Sequence, residues 1–166
     1  AGLEVDALQL LPEIPWDAGL QQMWIPGEAS ARARLLAFVA GPIGQYSLQR
    51  DIPGAHGTSV LGAHLHFGEL SPREAWHAVQ HAIRGRAGEF TVNAEKFRAE
   101  LGWREFGAHV LANFPRTAED PLRIDFRKFP WRSNAVELRA WQRGRTGYPI
   151  VDAGMRQLLH TGWMHN

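Results

Sequence analysis

Phe90 to Asn113 reads FTVNAEKFRAELGWREFGAHVLAN, a proline-free stretch expected to form one long helix. Within it Glu100, Trp103, Arg104 and Gly107 are separated by helical steps of three and four, so they share one face, while Gly102 and Gly107 lower the local helix propensity. A face that joins an aromatic plate, a carboxylate and a guanidinium beside glycine suits a planar, partly anionic ligand. The plainer reading of the same spacing is an interhelical Glu–Arg pair beside a packed tryptophan.

The segments on either side are read as helices too. Upstream, Ser71-Pro72-Arg73-Glu74 is a helix start: the serine hydroxyl can cap a free N–H, proline suits the first turn, and Glu74 can complete a capping box. That helix should run to about Arg84 and end at Gly85. From Glu28 the spacing of Ala31, Leu35, Phe38 and Val39 predicts an amphipathic helix that Gly41 and Pro42 stop. Gln45 to Leu61 reads as loop. Downstream, a connection through Pro115, Pro121 and Pro130 leads to a short helix opened by Asn134 with Glu137, then to one opened by Pro149 and closed by Gly162. No strand alternation is sustained, so the expected class is all-α. Residues 1–28, with Pro12, Pro15 and Pro26, read as an irregular lead-in, and residues 29–166 as the helical domain.

The chain has 166 residues, 45% of them hydrophobic and 21% charged, enough for one modest domain or a piece of a larger one. It has no cysteine, which excludes disulfides, thiolate zinc sites and iron–sulfur clusters. No apolar run approaches membrane-spanning length, and no membrane partner is expected. The net charge of +1 hides an asymmetry, because residues 84–166 hold the basic surplus and form the better anion-facing half. Gly57-Thr58-Ser59-Val60-Leu61-Gly62 clusters hydroxyls and glycines that could face phosphate or simply cap a helix; it is neither a Walker loop nor a GxSxG elbow. His64 with His66, and His77 with His81, lack a third ligand, so no metal is expected.

Taken together, the motifs resemble the flavin-binding helical domain of the photolyase/cryptochrome family. They are Tyr46 with Arg50-Asp51 and Gly57-Thr58-Ser59; His66-Phe67-Gly68-Glu69-Leu70-Ser71-Pro72-Arg73; Glu100-Leu101-Gly102-Trp103-Arg104-Glu105-Phe106; Trp141-Gln142; Thr146 to Arg156; and Gly162-Trp163-Met164-His165-Asn166. The resemblance implies the N-terminal part of an FAD-binding domain, with the antenna domain and the C-terminal half outside the chain. It implies a light-driven deoxyribodipyrimidine photo-lyase that repairs cyclobutane pyrimidine dimers in DNA through excited reduced FAD, in the cytoplasm. A cryptochrome-type photoreceptor and a helical binding module without flavin are the alternatives.

By the same resemblance, Tyr46, Thr58, Ser59, Val60, Leu61, Gly62 and Arg104 would bind the cofactor. Glu100, Trp103 and Asn166 would meet the flipped-out lesion, and Trp131 would be the outer tryptophan of the electron-transfer chain. Two departures stand out. Val60 and Gly62 replace an arginine and a serine of the family's phosphate pattern, and Phe97 stands where photolyases often carry tryptophan, which would keep an aromatic wall but not an N–H donor. The antenna chromophore is not implied. Half a pocket is expected to bind FAD weakly or not at all, and exposed apolar area to favour self-association.

Overall fold

In a computed structural model residues 4–165 are described, and every regular element among them is helical. The α-helices are α1 (Ala18–Met23), α2 (Glu28–Ala40), α3 (Tyr46–Gln49), α4 (Gly62–His66), α5 (Pro72–Ile83), α6 (Glu89–Asn113), α7 (Ala135–Gln142) and α8 (Pro149–Thr161), with short 3-10 turns between some of them. The all-α class holds among these residues. The chain divides into two compact units, one from Pro26 to Arg132 and the other joining the residues up to Ile25 with those from Ser133 onward.

In the Pro26–Arg132 unit, α2 buries Ala31, Leu35 and Phe38, the face its spacing predicts. The core continues through Ile43, Tyr46, Leu61, Leu70, Ala75 and Val79. Each large apolar side chain removed from water there contributes roughly 1.5–3 kcal/mol. The Ser71 hydroxyl accepts from the Glu74 N–H at 3.0 Å and starts α5 as expected. The reciprocal half of the box is not made, because the Glu74 carboxylate instead accepts from Arg32 Nε on α2 at 2.7 Å.

Helix α6 is 25 residues long and buries Asn93, Ala94, Phe97 and Leu101, but no residue beyond Leu101. Its first half is therefore anchored and its second half carries side chains outward. The Phe97 ring meets Phe38 at 4.7 Å and Tyr46 at 5.5 Å between centroids. Such edge and tilted pairs add about 0.5–1.5 kcal/mol beyond burial. Phe97 thus serves the core, which corrects its expected place as an aromatic wall.

The stretch read as loop from Gln45 contains the single turn α3. A turn this short is not stable alone. Here the surrounding fold supplies the nucleus: Tyr46 is buried, and Asn93 Oδ1 accepts from the Ser47 N–H at 2.6 Å while its amide donates to the Glu89 carbonyl at 2.9 Å.

The other unit is built on α8. Asn134 Oδ1 caps α7 by accepting from the N–H groups of Val136 and Glu137 at 3.0 and 3.2 Å, and Gly162, at φ +68°, closes α8, both as predicted. The supposed irregular lead-in differs from expectation, since Ala18–Met23 is helical. Six residues without an apolar period gain helix by docking on α8. Gly19 packs so closely that a Cβ there would lie 2.0 Å from the His160 carbonyl oxygen, and Trp24 Nε1 donates to the Thr161 carbonyl at 2.8 Å.

Candidate active site

The sequence-predicted face of α6 forms as a single stripe. Glu100 lies one turn beyond the anchored Phe97, and Trp103 and Arg104 follow where the helix leaves the core. The Glu100 carboxylate accepts a very short hydrogen bond from Arg50 Nη1, and the two side chains are 31% and 18% exposed. Arg50 also lies 5.3 Å over the Tyr46 ring and pairs with Asp51 at 3.3 Å. The Glu100 hydrogen bond holds the guanidinium above its ordinary pKa, and burial pushes the Tyr46 phenol up. A cation at the C-terminal end of α3 thereby fixes a carboxylate on α6. Arg50 was not among the expected site residues, although its place four residues after Tyr46 puts both on one side of α3.

Trp103 is 65% exposed and meets the edge of Phe106 at 5.8 Å and 82°. Arg104 pairs with Glu105 at 2.7 Å and reaches the Leu65 carbonyl at the end of α4 at 3.4 Å. Glu100 is half-buried and Trp103 and Arg104 are exposed, so none of the three disappears into packing. A groove of about 570 Å³ runs along a different stripe, bordered by Pro72, Trp76 and His77 of α5 and Leu101, Gly102 and Glu105 of α6. None of the expected site residues lines it.

The Gly57–Gly62 segment is pressed onto α3. A Cβ at Gly57 would sit 2.4 Å from Gln49 Cβ and 2.8 Å from its carbonyl carbon and oxygen, so only glycine permits this approach. Thr58, Ser59 and Val60 are half-buried, and Gly62 is exposed. Leu61 is 1% exposed, so its side chain belongs to the core and only its backbone is left to face a ligand. No side chain caps α4, which removes the helix-cap reading of the hydroxyls. Val60 has φ +50°, a conformation costly for a β-branched residue, and Leu61 follows in the right-handed region at φ −90°. Left- and right-handed residues in succession turn consecutive N–H groups toward one concavity, the geometry that holds anions.

Two further carboxylates, one in each unit, have several hydrogen-bond partners and were not among the expected site residues. Glu69 accepts from the Gly27 N–H at 2.7 Å and pairs with buried His64 at 2.6 Å; the His64 hydrogen bond first, then Gly27, holds its carboxyl below the usual range. In the other unit, buried Asp152 accepts from Thr146 N and Oγ1 at 2.7 Å and from Gly147 N at 3.0 Å, and the Thr146 hydroxyl is the main cause of its lowered pKa. The preceding Thr-Gly-Tyr-Pro turn and an aspartate one turn into α8 were visible signals of this cap. Trp131 is 82% exposed beside Phe129. Asn166 lies outside the described residues. Among the described residues no three His, Asp or Glu side chains gather as a metal site, and no helix is long and apolar enough to cross a membrane.

Residues 97–166 match the family model described as the FAD binding domain of DNA photolyase. The chain is 43% identical over 159 residues to a deoxyribodipyrimidine photo-lyase of Agrobacterium fabrum, covering 95% of the chain and 33% of that protein. It is 40% identical to cryptochrome-1 of Arabidopsis thaliana, over 90% of the chain and 23% of the relative. A bacterial class III photolyase from Agrobacterium tumefaciens superposes with a TM-score of 0.90 at 41% identity, over 99% of this chain and 34% of that one. The chain thus spans about a third of the length of that photo-lyase. Fold and site together define an all-helical domain of the kind that binds flavin. Over nearly all of its length the chain is similar to a segment of the DNA photolyases and cryptochromes, with residues 97–166 matching their FAD-binding domain.

Proposed function

We propose that this chain is the N-terminal part of the FAD-binding domain of a cytoplasmic deoxyribodipyrimidine photo-lyase acting on DNA that contains cyclobutane pyrimidine dimers. The observation that carries the reading is the outward stripe of α6, where Trp103 is open for stacking and Glu100 is held in place by Arg50. Extruding a nucleotide costs a few kcal/mol, a figure stated generally for base-flipping proteins with photolyases among them, and least for a damaged base. Trp103 offsets part of that by stacking on the extruded bases, at about 1–3 kcal/mol per base for aromatic platforms. The Glu100 carboxylate, kept in one orientation by the Arg50 guanidinium, hydrogen-bonds a base edge, with Asn166 as a further lesion contact.

The loop fits an FAD phosphate group. Its donors are half-buried Thr58 and Ser59 hydroxyls that cap no helix, and backbone N–H groups turned together at Val60 and Leu61. Bound in its reduced form and excited by light, FAD would supply the electron that opens the dimer and would regain it once the dimer has split. Tyr46, Gly62 and Arg104 complete the contacts this chain offers, and Trp131 is the outer tryptophan of the reducing chain. Residues 29–166 belong to the helical domain, and Ala18–Met23 of the preceding segment packs on α8 as part of it; the uncovered apolar surface favours self-association of the isolated chain.

The similarity to cryptochromes favours a second reading, a photoreceptor that keeps the flavin and uses its photoreduction to change partner binding. Blue-light restoration of thymine monomers by the full-length protein separates the two. Repair that falls at least tenfold in Trp103→Ala and Glu100→Ala, with FAD retained, is the expected result; FAD loading without repair overturns the lyase reading.

A further inference from the structure

We propose that the groove between α5 and α6 binds a small planar aromatic monoanion, a fused-ring carboxylate laid against Trp76 with its charge at Arg73. The groove measures about 570 Å³, within the span of about 300–1,000 Å³ usual for small-molecule sites. Pro72, Arg73 and Trp76 of α5 line one side, and Leu101, Gly102 and Glu105 of α6 line the other. All of these belong to the Pro26–Arg132 unit. None belongs to the Glu100, Trp103 and Arg104 stripe, so the groove stands apart from the lesion-facing surface.

Its shape follows from one absent side chain and one fixed ring. A Cβ at Gly102 would meet nothing within 4 Å, so the α6 wall is bare backbone there and the space beside it stays open. Across from it, the Arg98 guanidinium reaches from α6 and lies 3.7 Å over the Trp76 ring, while its Nη1 donates to Glu95 at 2.6 Å. One face of the indole is thereby covered and held, and the residue remains 38% exposed. Leu101, 5% exposed, joins this surface to the core. An aromatic ring gains a stacking contribution on an indole beyond the area it buries, which an acyl chain does not.

The charges at the groove select the sign. Glu105 is the single carboxylate among the described lining residues, and it is engaged by Arg104 at 2.7 Å. Glu74, next to Arg73 on α5, is taken by Arg32 at 2.7 Å. The Arg73 side chain has no hydrogen-bond or ion-pair partner among the described residues. His77 follows it by four positions and lines the same side of α5. A carboxylate can therefore accept two parallel hydrogen bonds from Arg73 without breaking an existing ion pair, whereas a cation would have to take Glu105 from Arg104.

Fluorine NMR of the full-length protein labelled with fluorotryptophan reads binding at the groove itself. Trp76→Phe identifies the Trp76 resonance, which naphthoate should shift saturably. Naphthalenemethanol, its uncharged analogue, should bind about threefold more weakly, as one exposed ion pair provides. In Arg73→Gln the two probes should bind equally. Gly102→Leu fills the open wall and should weaken both probes about tenfold or more. Its higher helix propensity favours folding, which far-ultraviolet circular dichroism checks. Arg73 is exposed, so Arg73→Gln keeps the test decisive even if Gly102→Leu fails to fold.

Three results overturn the proposal: no saturable shift of Trp76 at millimolar naphthoate, equal affinity of the two probes in the wild type, or unchanged affinity in folded Gly102→Leu. Two others overturn it by assigning the groove elsewhere. Laurate bound as tightly as naphthoate gives it to acyl chains. A dimer in sedimentation equilibrium that Gly102→Leu dissolves gives it to a second copy of the protein.

Discussion

Replacing Gly57 by alanine adds one methyl group at the point where the candidate phosphate loop touches α3. The new Cβ would stand 2.4 Å from Gln49 Cβ, about 1 Å short of the 3.4 Å at which ordinary contact begins, and 2.8 Å from the Gln49 carbonyl carbon and oxygen. Two of those three neighbours are backbone, so no rotamer change relieves the overlap. The loop must retreat by about 1 Å or α3 must shift, and overpacking of this kind costs about 1–3 kcal/mol. Retreat also moves Thr58, Ser59 and the Val60 N–H away from any phosphate, and losing one hydrogen bond to a charged group weakens binding by about 1.5–3 kcal/mol, roughly 10- to 100-fold. Gly62 is the internal control for stability alone, since a Cβ there meets nothing within 4 Å. Urea unfolding of both variants, with FAD titration of the full-length protein, reads the two effects. Gly57→Ala is expected to be less stable than Gly62→Ala by at least 1 kcal/mol and to bind FAD at least tenfold more weakly than the wild type; equal stability of the two variants refutes the close approach of loop and helix.

Further predictions concern the charged and strained positions. The Arg50→Met, Glu100→Gln double-mutant cycle should show a coupling of about 1–2 kcal/mol, since both side chains are less than one-third exposed; urea denaturation measures it, and a coupling below about 0.3 kcal/mol removes the clamp. Val60→Gly should stabilise the chain by about 1 kcal/mol in the same assay, because it relieves a β-branched residue at φ +50°; destabilisation would show that the side chain contributes more than the strain costs. Glu69 and Asp152 have folded pKa values below their unfolded ones, so their contribution is complete above the unfolded values near pH 4 and is lost as pH falls through the folded ones. Thermal melts of Asp152→Asn and of the wild type, far apart at pH 7, should therefore converge as pH falls below the unfolded carboxylate value and through the lowered folded one; a constant gap contradicts the assignment.

What could be read from residue order was whatever a helix end or one helix face records locally. Ser71 before Pro72, Asn134 before Glu137 and Gly162 after α8 are all found doing the job their chemistry suggests, because a cap involves residues two to four apart. The stripe of Glu100, Trp103 and Arg104 was legible for the same reason. Helices α1 and α3 were not, since neither holds itself up: one depends on the missing side chain of Gly19 under His160, the other on Asn93 reaching Ser47 from 46 residues away. The same distinction runs through the site. Sequence pattern supplied the residues that point outward from α6, while the parts that hold them are long-range: Arg50 on Glu100, Gly57 on Gln49, and Glu69 joining Gly27 to His64. Each of these contacts joins segments whose separation encodes nothing about their meeting. A chain whose outward residues were kept and whose Arg50, Gly57 and Glu69 were changed would preserve the recognisable motifs and lose their arrangement, which makes these three positions, rather than the motif residues, the sharper test of whether the fold alone builds the site.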